Sequence, residues 1–148
     1  EVDAATRAAG QLGLASMYHP IGNAADVDAA YQRAVAFRAD AVLAFADGIT
    51  IGLADRFAAN SRRDRIPAVS GWAVFAEKGN LMTYGPVLRE SQGRLAVFVD
   101  RILKGAKAAD LPVEQPTVHE LVINRRVAKD LGIAVPPTLL ARADRIID

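Results

Sequence analysis

Short apolar segments alternate with amphipathic segments of helical period along the first two thirds of this chain. The clearest is the run from Ala41 to Ala46, which contains no polar residue and is typical of a strand buried on both faces. Helical spacing surrounds it at 27–37 and 50–60, and further strands are predicted at 14–18, 66–70 and 81–84. Strands separated by helices indicate right-handed βα units. The predicted fold class is therefore α/β, a three-layer sandwich around a mainly parallel sheet.

Composition excludes several classes of protein and gives little direction among the others. The 148 residues suffice for one sizeable core, and 51% hydrophobic with 24% charged residues is typical of a folded globular domain. A net charge of +1 provides no electrostatic argument for nucleic acid or an anionic membrane as partner. The absence of cysteine excludes disulfides, thiol nucleophiles and cysteine metal sites. No apolar run approaches the roughly 18 residues that a membrane span requires.

Catalytic constellations are poorly represented. His19 and His119 are the only histidines, and they lie in separate predicted elements. Ser70 could be combined with His19 and Asp47 on paper, but the Gly-x-Ser-x-Gly elbow is absent. No carboxylate or histidine pair has metal-ligand spacing, and no glycine-rich phosphate loop follows a strand. We expect a protein that is not an enzyme and that uses neither a metal nor a cofactor.

Polar and aromatic residues follow the predicted strands, where ligands of parallel sheets bind. Thr50 and Ser70 lie at predicted helix starts, where backbone N–H groups and a hydroxyl hold a carboxylate well. Asp47 is suited to pair with a ligand ammonium, and Trp72 or Tyr84 could offer a flat face to an aromatic solute. His19 and Asn23 form a weaker set of candidates.

Each of these residues also has a purely structural interpretation. Asp47 before Gly48 is an ordinary turn or N-cap residue. Trp72 is equally compatible with a position in the core, and Tyr84 with packing at a strand end. From the residues alone, both interpretations remain open.

Longer stretches of sequence point to a family. They are 81–86 (Leu-Met-Thr-Tyr-Gly-Pro), 99–107 (Val-Asp-Arg-Ile-Leu-Lys-Gly-Ala-Lys), 111–117 (Leu-Pro-Val-Glu-Gln-Pro-Thr), 120–124 (Glu-Leu-Val-Ile-Asn) and the ending 136–147. Together they closely resemble the C-terminal half of ABC transporter substrate-binding proteins of the tryptophan/tyrosine type, which have the type I periplasmic-binding fold. The chain departs from the family pattern at Asn80, at Val118-His119 and at Arg125-Arg126.

The resemblance implies an exported, periplasmic receptor that closes two lobes around a small solute. The solute would be an amino acid or a related compound, and the partners would be an ABC permease and its ATPase, without nucleic acid. Residues 1–110 would form the second ligand-binding lobe, and 111–148 a connector, strand and helix that return toward the hinge or first lobe. The family lines its cleft with the loops after the strands, so the predicted ligand-binding residues are Asp47, Thr50, Ser70, Gly71, Trp72, Tyr84 and Gly85.

The chain has about half the length typical of that family. The first lobe and the first strand of the second lobe are expected to precede Glu1 in a parent chain. A central strand would then be missing from the sheet, which predicts a homodimer or a longer parent protein. Two other hypotheses remain: a ligand-sensing effector domain of a regulator with the same fold, and an α/β enzyme.

Overall fold

The computed structural model describes residues 1–148 and contains eight α-helices, one 3₁₀ turn and five strands. The helices are α1 (Val2–Gln11), α2 (Ala24–Phe37), α3 (Gly48–Gly52), α4 (Ala54–Asp64), α5 (Ala73–Glu77), α6 (Leu88–Leu103), α7 (Arg125–Leu131) and α8 (Pro137–Leu140). The strands are β1 (Val42–Leu43), β2 (Ala68–Ser70), β3 (Met82–Pro86), β4 (His119–Asn124) and β5 (Arg145–Ile147), and the 3₁₀ turn is Ala108–Asp110. None of the helices combines the length and the hydropathy that crossing a bilayer requires.

The five strands form one sheet in the order β1-β2-β3-β4-β5. β1, β2 and β3 are parallel neighbours, and β4 runs antiparallel to β3. β5 is parallel to β4, so the last part of the chain extends the same sheet. The predicted α/β class with a mainly parallel sheet is confirmed.

The main core lies between the sheet and the layer formed by α2, α4 and α5. Tyr31 and Phe57 contribute fully buried rings whose centroids are 6.3 Å apart, in an edge-to-face arrangement. Phe75 lies 5.4 Å from Phe57, measured between ring centroids. Ala68 of β2 points into this cluster, and its small side chain lets the helices approach the sheet. The apolar face that the helical spacing predicted for α2 is thus the face that packs into this core.

A smaller core covers the opposite face of the sheet. Val69 and Met82 pack there against α7, through Val127 and Leu131. Val69 follows Ala68 in the same strand, and successive strand residues point to opposite faces. Helices therefore lie on both sides of the sheet, which is the expected three-layer arrangement.

Two polar features fix the position of α2. Asn23 and Asp26 form a complete capping box, in which the Asn23 side chain accepts from the Ala25 and Asp26 amides and Asp26 accepts from the Asn23 amide. On the side facing α4, Arg56 donates two hydrogen bonds to Asp28, and Asn60 donates one. The hydrogen bond from Arg56 is the main reason that the pKa of Asp28 is lowered to about 2.

The sequence prediction was wrong for one strand and incomplete for one helix, and the run 41–46 is not buried on both faces, because β1 lies at the edge of the sheet and its Leu43 is 60% exposed. Residues 14–18 form no strand, because no neighbouring strand pairs with them, and Leu14 and Tyr18 are exposed. The helix predicted over 50–60 is divided at Leu53, between α3 and α4. α1 and α6 bury no residue.

Candidate functional site

The carboxyl ends of β1, β2 and β3 lie at one edge of the sheet because the three strands are parallel neighbours. Four of the seven predicted site residues follow the strands, Asp47 and Thr50 after β1 and Gly71 and Trp72 after β2. The other three lie in the strands themselves: Ser70 ends β2, and Tyr84 and Gly85 belong to β3. The structure therefore brings together the three segments that the sequence pattern nominated, at 47–50, 70–72 and 84–85. We call this region the site edge.

Asp47 begins α3 and uses only one of its carboxylate oxygens to do so. Oδ1 accepts hydrogen bonds from the amides of Ile49, at 2.7 Å, and Thr50, at 2.8 Å. Oδ2 accepts no hydrogen bond from the protein, and the residue is exposed. The structural interpretation of Asp47 as an N-cap is therefore correct, yet the same residue keeps a free anionic oxygen. Asp47 can cap the helix and bind a cation at once.

Thr50 is turned inward. Its side chain is buried, and its hydroxyl donates to the Phe45 carbonyl at 2.5 Å while accepting from the Asp47 amide at 3.1 Å. Both bonds close the loop between β1 and α3 on itself. The Thr50 hydroxyl thus holds Asp47 in position.

Ser70 and Thr83 face each other across β2 and β3, and both hydroxyls are buried without a hydrogen-bond partner. Ser70 is 5% exposed and Thr83 is 1% exposed. Buried hydroxyls normally have a partner, in the protein or in an ordered water molecule. This pair is the place in the site edge where a water or a polar atom of a ligand would satisfy two unmet groups. Thr83 was not among the predicted site residues, although its position two residues before Gly85 places it on the same face of β3.

Gly71 and Gly85 allow the strand ends to approach closely. A Cβ atom placed on Gly85 would lie 2.0 Å from the Gly71 carbonyl oxygen, so no other residue fits there without moving the backbone. A Cβ atom on Gly71 would lie 3.1 Å from the Cβ of Ala46, which is tight but less restrictive. The floor of the site edge is therefore bare backbone.

Trp72 follows Gly71 beside this floor, whereas Tyr84, between Thr83 and Gly85 in β3, points to the opposite face of the strand. Trp72 is half-buried and occupies the N-cap position of α5. Tyr84 is 66% exposed, and its ring stacks on His119 with the centroids 5.9 Å apart and the planes at 28°. His119 is exposed at the start of β4, and no feature of the sequence indicated a partner for it. The stack could not be predicted from the sequence, because it depends on the antiparallel pairing of β3 with β4, which brings together residues 35 positions apart.

Among the seven predicted residues, Asp47 carries the only full charge at neutral pH. Two cavities, of about 830 and 440 Å³, are lined by none of the seven. The larger cavity lies along α6 and the segment 114–118, and the smaller lies between α5 and the start of α6. The site edge presents one free carboxylate oxygen, the bare backbone of Gly71 and Gly85 and the half-buried Trp72, and the two buried hydroxyls without a partner lie beneath it. Such a surface can bind part of a small polar solute but does not enclose it.

Comparison with known proteins covers nearly the whole chain. A family model described as ABC transporter substrate binding protein matches residues 1–147. Among curated proteins no match was found.

Three solved structures are similar. A conserved domain protein from Vibrio cholerae has a TM-score of 0.90 at 25% identity, over 98% of this chain and 49% of its own. The structure described as the ABC domain in complex with L-Trp, from Streptococcus pneumonia, has a TM-score of 0.89 at 21% identity, over 99% of this chain and 49% of its own. A ligand-free, open substrate binding protein with adhesive properties from Clostridium difficile has a TM-score of 0.68 at 19% identity. The match covers 99% of this chain and 48% of that protein. The chain spans about half the length of these proteins.

Proposed function

The chain belongs to the ABC transporter substrate-binding protein family, and on that premise we propose that it forms one lobe of a two-lobed solute receptor. The family is one of binding proteins rather than enzymes. The observation that carries the proposal is the site edge itself, where three loops from adjacent parallel strands present polar groups on an open surface. In a two-lobed receptor each lobe binds only part of the solute, and the solute contacts both lobes only when they are closed. An open surface of this kind fits one side of such a cleft.

We propose an amino acid as the solute. Oδ2 of Asp47 is free to accept hydrogen bonds from a ligand ammonium, and a charge-assisted bond of this kind is stronger than a neutral one. The ring of Trp72, next to the glycine floor, offers a flat face to an apolar or aromatic side chain. None of the seven site residues is cationic, so backbone N–H groups or the second lobe would bind the ligand carboxylate. The description of the streptococcal structure with L-Trp supports this class of solute.

The remaining parts of the proposal concern partners. A second lobe is supported by the length of the similar solved structures, about twice that of this chain. It is also supported by the apolar residues that α6 leaves exposed, such as Leu95 and Leu103. When this chain is alone in solution, a homodimer would be the other way to cover them. Delivery to an ABC permease with its ATPase, and an extracytoplasmic location, complete the proposed function.

The proposal is tested by titrating the ¹⁵N-labelled chain with L-tryptophan, L-tyrosine and L-leucine and following amide shifts by NMR. We expect shifts concentrated at Gly48, Gly71, Trp72 and Gly85. Asp47→Asn should weaken binding about tenfold or more, since a hydrogen bond to a charged group is worth about 1.5–3 kcal/mol. Asp110→Asn, which removes an exposed carboxylate far along the chain, is the matched control and should change nothing.

The proposal of an amino acid would be abandoned if millimolar concentrations shifted none of these amides. Binding that is insensitive to Asp47→Asn would leave the receptor role standing but remove the proposed ammonium contact. Repeating the titration by native mass spectrometry would show at the same time whether the chain is monomeric or dimeric.

A further inference from the structure

Two arginines adopt a backbone conformation that normally belongs to glycine. Arg38 has φ 55° and Arg65 has φ 56°, and they are the two non-glycine residues with positive φ in the chain. The other positive-φ positions are all glycine: Gly13, Gly79, Gly105 and Gly132. A side chain in this left-handed region is disfavoured, and such outliers concentrate where a residue is needed for function.

The two arginines lie at the same end of the molecule. Arg38 is the C-cap of α2, just before β1, and Arg65 is the C-cap of α4, just before β2. Because β1 and β2 are parallel neighbours, both residues lie at the amino edge of the sheet. That edge is opposite to the one that carries Asp47 and Ser70.

Further arginines accompany them. The segments 33–40 and 61–65 together contain five arginines and two aspartates, all but one of them exposed, although the whole chain has a net charge of only +1. We call the arginines of these segments the arginine pole: Arg33, Arg38, Arg62, Arg63 and Arg65. Of the five, only Arg63 forms an ion pair, with Asp64. The low net charge of the chain therefore conceals a strongly positive end.

The fold makes little use of arginine at these two positions: the Arg65 guanidinium lies beside Gly132 at the end of α7, and Arg38 is exposed without an ion pair. A cation near a helix C-terminus is favoured by the helix dipole, but Arg62 already occupies the last turn of α4 with ordinary helical geometry. Glycine at the C-cap would close the helix without the cost of a side chain in the left-handed region. Arginine at both C-caps thus adds positive charge at one end of the molecule, although its backbone conformation there is less favourable than that of glycine.

We propose that the arginine pole docks onto an anionic phospholipid surface. All five cations are arginines, and a planar guanidinium group can donate two parallel hydrogen bonds to two oxygens of one phosphate. Phe37, next to Arg38, is 43% exposed, and only a lipid surface offers an apolar layer directly beneath its phosphates. Docking through this pole leaves the site edge at the far end of the sheet free. The inference does not depend on the proposed solute.

The test is co-sedimentation of the chain with phosphatidylcholine vesicles that contain about one third phosphatidylglycerol, compared with pure phosphatidylcholine vesicles. The decisive variant is Arg38→Gly/Arg65→Gly. It removes two charges and places glycine where glycine is preferred, so its thermal unfolding midpoint should equal or exceed that of the parent chain. Partition onto the anionic vesicles should fall roughly thirtyfold, since each arginine near such a surface contributes about fivefold. The control Arg101→Gln/Arg142→Gln removes two exposed arginines elsewhere and should stay within about twofold.

Three results would overturn the proposal. The first is an absence of binding to anionic vesicles at low salt. The second is equal binding by the glycine variant and the parent chain. The third is that neither protein binds the vesicles, whereas the parent chain binds a polyglutamate matrix or inorganic phosphate and the glycine variant does not. That result would assign the pole to an acidic protein surface or to a free anion.

Discussion

The α2–α4–α5 layer and the outer helices α1 and α6 have similar sequence patterns and very different surroundings. α2, α4 and α5 bury Tyr31, Phe57 and Phe75 against the sheet, whereas α1 and α6 bury no residue. α6 is nevertheless the longest helix, with 16 residues. Helical periodicity thus predicts that a helix has an apolar face, but it does not predict which part of the protein packs against that face. In this chain the inner layer finds its partner in the sheet, and the outer helices do not.

The largest test of this difference is truncation of a ring in the inner layer. Phe57→Ala should lower the free energy of unfolding by about 3–5 kcal/mol, because it removes a 2% exposed ring that contacts two others. Urea denaturation measures the change. Leu103→Ala, at a position 81% exposed on α6, should stay within about 0.5 kcal/mol. A comparable loss at Leu103 would mean that α6 is covered in solution and would break the comparison.

A second test contrasts two glycines. Gly85→Ala should cost about 3 kcal/mol, the upper part of the range for overpacking, since its Cβ would lie 2.0 Å from the Gly71 carbonyl oxygen. Gly93→Ala, in the middle of α6, meets nothing within 4 Å and should stabilise the chain by up to about 1 kcal/mol through helix propensity. Thermal unfolding of the two variants should shift in opposite directions. Shifts of the same sign would contradict the described environments.

Helix caps sharpen the comparison on a smaller scale. Asn23→Ala removes the side chain that caps α2 and should cost about 1 kcal/mol in chemical denaturation. The N-cap of α1, Glu1, makes no side-chain cap hydrogen bond, so Glu1→Ala should change stability by less than about 0.5 kcal/mol. If both variants were equally stable, the capping box would contribute nothing in solution.

The smallest effect concerns pH. The pKa of Asp28 is about 2 in the folded chain, because Arg56 hydrogen-bonds to its carboxylate, and about 3.9 in an unfolded chain. Its contribution to stability is therefore complete above about pH 4 and is lost as the pH falls toward about 2. Asp28→Asn should remove this part of the acid dependence, measured as urea midpoints from neutral to acidic pH. Asp100→Asn, which breaks an exposed pair with Lys104 on α6, should leave the pH profile nearly unchanged.

The sequence predicted most of the helices and strands that pack against the main core. The apolar run at 41–46 contains β1, and the spacing through Val27 and Tyr31 marks the buried face of α2. The same reasoning failed for residues 14–18, because alternation identifies a strand but pairing requires a neighbour that this chain does not supply there. A pattern is local, whereas a strand is a relation between two segments.

The candidate site was predictable in position and less so in detail. The rule for parallel sheets located Asp47, Ser70 and Gly85 at one edge. It could not show that the Thr50 hydroxyl turns toward Phe45, because that depends on a side-chain rotamer. Nor could it show the stack of Tyr84 on His119, which depends on the register of an antiparallel pair.

The contact between Gly71 and Gly85 has a consequence for how the specificity of such a site can change. Neither position has a side chain to exchange, and Gly85 cannot acquire one while the strands keep their spacing. Mutation therefore cannot reshape the part of the floor formed by Gly85, and it acts more readily on the rim, at residues such as Asp47 and Trp72. A lineage that keeps this floor can still change its solute through the rim, within the limit that residue 47 must continue to cap α3.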